Sequence, residues 1–314
     1  MSVCIVDLHC DSLTKAYDNG WGVSDERLSF SPGRIPAGMN WVQFMAVFIP
    51  DELRGTDARE YFDRVNEFYN EYISEEQRIP VNTDSIWHIE NAVSVNPFTA
   101  VLSVEGGAVL EGDPANVESL YAAGVRMLTL TWNGANELCG GWKSGGGFTA
   151  AGRETVHRME AAGMAVDVSH ISDEGFFELC GFARKPFVAS HSNARKICGH
   201  PRNLTDDMFR EIVRRGGLVG INYYDHFIRE GGGSSDAGDL LRHIHHFLEL
   251  GGEDVLALGS DFDGADTPPY ISGADKIGSL IDAMGRSGIS KAVISKILSH
   301  NAVRFFNTMQ GEWQ

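Results

Sequence analysis

An imidazole and two carboxylates close the first apolar run of the chain, Val3-Cys4-Ile5-Val6-Asp7-Leu8-His9-Cys10-Asp11. The β-branched run reads as a buried strand. In extended backbone, side chains alternate faces, so His9 and Asp11 point the same way, with Asp7 on that side as well. One nitrogen and one oxygen ligand side by side suit zinc or a similar divalent ion. A plain polar strand end would carry the same pattern, so this spacing alone leaves both readings open. Other ligand-type residues follow later apolar runs: Glu105 after 99–104, His170 after 164–168, His191 after 186–190 and Asp261 after 255–258. Taken singly, Glu105 could lead a Gly-Gly turn and each histidine could sit satisfied in a core or cap. Asp261 and Asp263 share a face if extended, so spacing cannot choose between them, and one could stabilise a turn.

A frame that brings such distant residues together is legible in the rest of the chain. Further apolar runs at 42–49, 125–130 and 218–221 complete a set of eight short strands. Between and after them, helices are expected over 51 to about 78, 114–123, 149–162, 205–215, 237–250, 274–286 and 290–308. Thr205-Asp-Asp opens one of these and Gly216-Gly217 closes it, as helix ends favour. This alternation, without a domain-sized linker, predicts a single (β/α)8 barrel of the TIM type over 1–314. In such barrels the active site lies at the carboxyl ends of the strands. His9, Asp11, Glu105, His170, His191 and Asp261 each fall within a few residues of such an end, so all six should meet at one mouth. A doubly wound sheet is the alternative, but no dinucleotide fingerprint is present. The two Gly-rich loops, 132–147 and 231–235, lack a phosphate-loop ending and read as mobile covers or linkers.

Composition narrows the function. The 314 residues hold 43 acidic and 26 basic side chains, a net charge of −17 with histidines neutral. Such a chain is poorly suited to nucleic-acid phosphates and better suited to a small-molecule substrate. Five scattered cysteines, with no CxxC pair, form neither a disulfide framework nor a thiolate metal site. The first strand begins at the third residue, leaving no room for a leader, and no apolar run is long enough for a bilayer. A cytoplasmic protein without a membrane partner is expected.

Several motifs in order carry a resemblance: Asp7-Leu-His9-Cys-Asp11, Ser103-Val-Glu105-Gly-Gly, Leu128-Thr-Leu-Thr131, Asp167-Val-Ser-His170, Ser190-His191-Ser, Arg202-Asn203 and Gly259-Ser-Asp261-Phe-Asp-Gly. Along nearly its whole length the chain resembles the membrane dipeptidase (renal dipeptidase) family of zinc peptidases, and its short, soluble bacterial members most. The resemblance implies two zinc ions per chain, with His9 and Asp11 on one, His170 and His191 on the second, and Glu105 bridging. It implies Asp261 as the acid/base and Arg202 as the holder of the substrate carboxylate, a job that suits a planar cation. Trp132 stands where the animal enzymes have a histidine near the substrate, and Phe227 where they have a tyrosine, so both are candidate pocket walls. The implied reaction is hydrolysis of dipeptides by a hydroxide that bridges the metals; the sequence leaves open whether a D-residue at the C-terminal position is also accepted. A homodimer is implied by the same analogy.

Two other classes share these ligands. A metal-dependent barrel hydrolase acting on a cyclic amide, lactone or β-lactam needs the same Lewis acid, and Arg202 is what argues against a neutral cyclic substrate. A barrel that only binds a metal or ligand would usually have lost the base, which this chain keeps. His243 and His246, three apart within Arg242-His243-Ile-His245-His246, could meet on a helix but sit mid-helix, away from the mouth.

Overall fold

Eight parallel strands close on themselves in chain order in the computed structural model, which describes residues 3–74, 77–78, 97–233 and 235–311. They are β1 (Val3–Cys10), β2 (Met39–Phe48), β3 (Phe98–Glu105), β4 (Val125–Thr129), β5 (Ala165–Asp167), β6 (Val188–Ala189), β7 (Leu218–Ile221) and β8 (Leu256–Leu258). The helices between them are α1 (Ser12–Asn19), α2 (Gly55–Tyr72), α3 (Asn116–Ala122), α4 (Ala150–Ala162), α5 (Asp173–Phe182), α6 (Asp206–Arg215), the short α7 (Asp225–Ile228) and α8 (Ala237–Glu249). After β8 come α9 (Ile277–Arg286), α10 (Lys291–Ser295), a π-turn (Lys296–His300) and α11 (Asn301–Gly311). The expected (β/α)8 barrel is therefore the observed fold.

Two apolar layers hold it. Val6, Leu8, Val42, Phe44, Val101, Met127, Val188 and Leu218 point into the barrel, where Phe305, Phe306 and Met309 of α11 pack beneath them. The rings of Phe44 and Phe306 stack at 4.9 Å, so the last helix plugs the end opposite the mouth. Outside the strands, each helix contributes one stripe: in α2 it is Ala58, Phe62, Val65 and Tyr69, spaced for one helical face. Each large apolar side chain buried this way contributes roughly 1.5–3 kcal/mol.

Departures from the expected elements have local causes. The helix expected over 51–78 runs only from Gly55 to Tyr72; Ile73 is already extended, and 75–76 lie outside the described residues. The helix expected at 114 starts at Asn116, because the Asp113 carboxylate accepts the Ala115 N–H at 2.9 Å and holds a turn there. Helices α1 and α5 were not expected; α5 is announced by the Ser172 hydroxyl, which caps the Gly175 N–H at 2.9 Å.

Candidate active site

The carboxyl ends of β1 and β8 are tied together before any side chain is considered. The Asp261 N–H donates to the His9 carbonyl at 3.1 Å, and the Asp11 N–H donates to the Phe262 carbonyl at 2.8 Å. The pairing of β1 with β2 slips between Asp7 and Cys10, so strict alternation fails there. Asp7 accordingly leaves the side it was expected to share with His9. Its carboxylate accepts the backbone N–H of Ser260 at 2.8 Å and that of His9 at 3.4 Å. A buried carboxylate thus fixes both strand ends.

The six expected side chains meet at the mouth. His9 Nε2 lies 3.3 Å from Asp11 Oδ2, 3.7 Å from Glu105 Oε2 and 3.9 Å from Asp261 Oδ1. The other oxygen of Glu105, Oε1, lies 2.9 Å from His170 Nε2 and 3.4 Å from His191 Nε2. The two histidine nitrogens are 3.0 Å apart, and the His9 and His191 rings stack at 3.9 Å. His170 and Asp261 both have positive φ, 67° and 61°, a region that His and Asp visit more readily than most side chains but still at a cost. Strain at two positions of one cluster marks a place where aim outweighs local comfort. Gly264 makes the close approach possible: a Cβ there would fall 2.0 Å from Asp11 Oδ2.

Supporting bonds orient the imidazoles. Ser190 Oγ lies 2.7 Å from His191 Nδ1 and donates to Asp167 Oδ2 at 2.6 Å. Asp167 also accepts from Thr129 Oγ1 at 2.6 Å and from the Ser169 and Ser190 N–H groups. Asn133 Oδ1 stands 3.1 Å from His170 Nδ1. Outer partners of this kind set which ring nitrogen is left to face a metal. Asn222, just after β7, donates to Asp261 Oδ2 at 2.9 Å. It was overlooked in the sequence, although the rule that exposed the histidines, position at a strand end, applies to it equally.

Electrostatics divide the cluster into two halves. Burial opposes charge on His9, but Asp11, Glu105 and Asp261 overcome this and push its imidazole up to about 10. Burial pushes the Asp11 carboxyl up to about 7 against the pull of His9. This half carries negative charge in excess and calls for a cation. Burial, with help from Arg202 and His9, pushes His170 and His191 well below their ordinary range, toward the neutral form that binds metals. Burial also works against the Glu105 carboxylate, yet His9 and His191 keep it below its usual value and ionised.

Asp261 and Asp263 separate by role. The fully buried Asp263 carboxylate accepts Ser12 Oγ at 2.6 Å, the Ser29 N–H at 2.9 Å and the Phe30 N–H at 3.3 Å, and pairs with Lys15 at 3.2 Å. It clasps the loop after β8 to α1 and to the segment before β2. Removing it in Asp263→Ala strands two backbone donors, and an expected loss of about 2–4 kcal/mol should appear as a lowered denaturation midpoint. Asp263→Asn, which keeps an acceptor, should recover part of that loss.

The cluster opens into a cavity of ≈ 690 Å³ lined by Asp11, Glu105, His170 and Asp261 and by the rings of Phe48, Trp132, Trp142 and Phe227. Trp132 meets Phe48 edge-on at 4.9 Å. Arg202 does not line this cavity. It is buried, donating from Nη1 to Ser192 Oγ at 3.0 Å and from Nη2 to the His191 carbonyl at 3.2 Å. Its guanidinium carbon is 5.7 Å from the Phe227 ring centroid, so the cation stands beside that wall, and its charge acts on Glu105 and Asp261. His243 and His246 are engaged elsewhere: His243 Nδ1 accepts the Ala194 N–H at 3.0 Å, and His246 pairs with Asp206 at 2.7 Å.

A closed parallel barrel with imidazoles and carboxylates gathered at its mouth is the frame of a metal-dependent barrel hydrolase. A family model described as membrane dipeptidase, peptidase family M19, matches residues 1–312, and the chain belongs to that family. It is accordingly a hydrolase of the metallopeptidase kind. An uncharacterised Klebsiella pneumoniae protein encoded in the pqqA 5′ region is 36% identical over 72% of this chain and 86% of its own length. An uncharacterised dipeptidase of Schizosaccharomyces pombe is 29% identical over 68% of this chain, which spans only 54% of that relative. Among solved structures, the metallopeptidase dipeptidase AC superposes with a TM-score of 0.89 at 23% identity, covering 99% of this chain and 100% of that one. A Rhodobacter sphaeroides metallopeptidase, liganded with a phosphinate mimic of the dipeptide L-Ala-D-Ala, gives 0.86 at 22% identity over 98% and 99%. At those identities the likeness speaks for the fold alone. Among the described residues, no helix is long and apolar enough to cross a membrane.

Proposed function

We propose that the chain is a zinc-dependent dipeptidase, with His9 and Asp11 holding one ion, His170 and His191 a second, and Glu105 serving both. The observation that carries this reading is Glu105, which turns one oxygen to His9 and the other to the His170–His191 pair. The donor set fits such ions: His9 Nε2 and Asp11 Oδ1 are buried without a hydrogen-bond partner, and four of the five ligands are at most 8% exposed. Nitrogen and oxygen donors in this mixture suit zinc, though other divalent ions can use them. When bound, the ions supply Lewis acidity to the scissile carbonyl and make the attacking water more acidic.

The chain's own residues do the rest. Asp261 receives the proton of the attacking water and returns one to the leaving amine. Its position supports that role: Oδ1 faces the His9 side of the cluster while Asn222 holds Oδ2. Burial raises its pKa above the ordinary carboxylate value, with His9 opposing, and a raised value favours a group that must both take and give a proton. Arg202 acts on the carboxylate end of the substrate through its charge, from beside Phe227. Trp132, Phe48 and Phe227 wall the cavity and exclude water from the reacting bond. Acceptance of a D-residue at the C-terminal position is part of the reading, supported by the ligand of the Rhodobacter sphaeroides neighbour.

A panel of L,L- and L,D-dipeptides, set beside lactones and cyclic amides, tests the substrate class on zinc-loaded protein. Free dipeptides should be cleaved and the cyclic compounds left intact. Lactone or cyclic-amide hydrolysis with no dipeptide cleaved would overturn the assignment.

A further inference from the structure

One cation at the mouth has no assigned task. Lys143 lines the same cavity as Glu105, His170 and Asp261, and it is exposed. No carboxylate of the described residues pairs with it; its ammonium lies 5.3 Å from the Trp142 ring centroid. Lys15, which also lines the cavity, is by contrast already paired with Asp263 at 3.2 Å. In a chain with 43 acidic and 26 basic residues, a lysine free of protein carboxylates at a substrate mouth is out of step with its surroundings.

Its backbone is held, whatever the freedom of its side chain. The Trp142 N–H donates to the His170 carbonyl at 2.8 Å, and the Lys143 N–H donates to the Asn133 carbonyl at 2.9 Å. The Trp142 indole N–H reaches Asn133 Oδ1, the same oxygen that faces His170 Nδ1. Between these anchors the loop doubles back so tightly that a Cβ on Gly141 would lie 2.5 Å from the Asn133 and Gly134 carbonyls. A Gly-rich loop that composition presents as a mobile cover or a linker is therefore fastened directly to a histidine of the cluster, and it carries Lys143 to the cavity.

We propose that Lys143 is a specificity-determining residue that selects dipeptides bearing an acidic side chain, whose carboxylate meets the ammonium at the cavity rim. This rests on the dipeptidase reading above. On that reading Arg202, buried beside Phe227, acts on the terminal carboxylate, which leaves the exposed cation for a second negative group. The cavity of ≈ 690 Å³ gives room for such a side chain beside the peptide bond. An exposed charge pair of this kind changes affinity by about five-fold at most, and salt weakens it.

The test compares dipeptides that differ only as Glu against Gln, at the first or the second position, on zinc-loaded wild type and Lys143→Met. The Glu-over-Gln ratio of kcat/KM should favour Glu in wild type and fall by about five-fold in the variant at low salt. Lys143→Arg should keep the preference and Lys143→Glu should invert it toward a lysine-bearing dipeptide. A wild type without a Glu preference, or a ratio that does not move while both substrates decline together, overturns the proposal. If wild type cleaves no dipeptide, the dipeptidase reading falls separately. Calorimetric binding of L-glutamate against L-glutamine then decides the role of Lys143: a glutamate preference lost in Lys143→Met supports it, and no preference overturns it.

Discussion

Asp261→Asn should lower kcat by about 10²–10⁴-fold while leaving the metal content of the protein unchanged. Asparagine keeps the volume of the side chain and can still accept the Asn222 amide bond, which in the wild type measures 2.9 Å. What it loses is the ability to take up and release a proton, so the defect should fall on turnover and spare KM. Metal analysis gives the experiment a second edge. Asp261 Oδ1 is 3.9 Å from His9 Nε2, close enough that His9, Asp11 and Asp261 could together hold an ion. Loss of metal in the variant would make Asp261 a ligand, and unchanged turnover would remove it from the mechanism.

Glu105→Gln should have a comparable effect by a different route. The substitution keeps the shape but removes the one negative charge that faces His9, His170 and His191 together, at 3.7, 2.9 and 3.4 Å. Replacing an outer partner of a metal ligand typically weakens binding 10- to 100-fold, so loss of a shared ligand should cost on the order of 10²-fold or more in metal affinity. Activity should fall with occupancy and recover in part at high zinc. Loss of that charge should also lower the denaturation midpoint of the metal-free protein, since the metal-free fold already holds Glu105 ionised. An unchanged circular dichroism spectrum under native conditions would separate weakened metal binding from misfolding. Full metal content in the variant would show that Glu105 is not shared by the two halves of the cluster.

Much of this arrangement was legible because it is positional. Apolar runs mark the strands, barrels place chemistry at one end of them, and His9, Asp11, Glu105, His170, His191 and Asp261 stand at those ends. What stayed hidden depended on backbone detail. The slip in β1 turned Asp7 away from His9, and no residue in the run announces it. Asp261 and Asp263 could not be told apart by spacing, since both adopt positive φ and the alternation that spacing assumes is broken. The loop 132–147 reads as a mobile cover or a linker from its glycines. Its anchoring rests on backbone carbonyls and on His170, contacts made across the fold that composition does not encode. Arg202 could be picked out by type, but its place beside Phe227 is set by bonds to Ser192 and to the His191 carbonyl.

Whether the cluster is a working metal centre is decided by metal content and dipeptide hydrolysis measured on one preparation, before and after chelation. Close to two zinc ions per chain are expected, with activity lost along with the metal and restored by zinc in step with reoccupancy of both sites. Dipeptide hydrolysis that survives complete removal of the metal, or a chain that binds no divalent ion at all, would contradict that expectation.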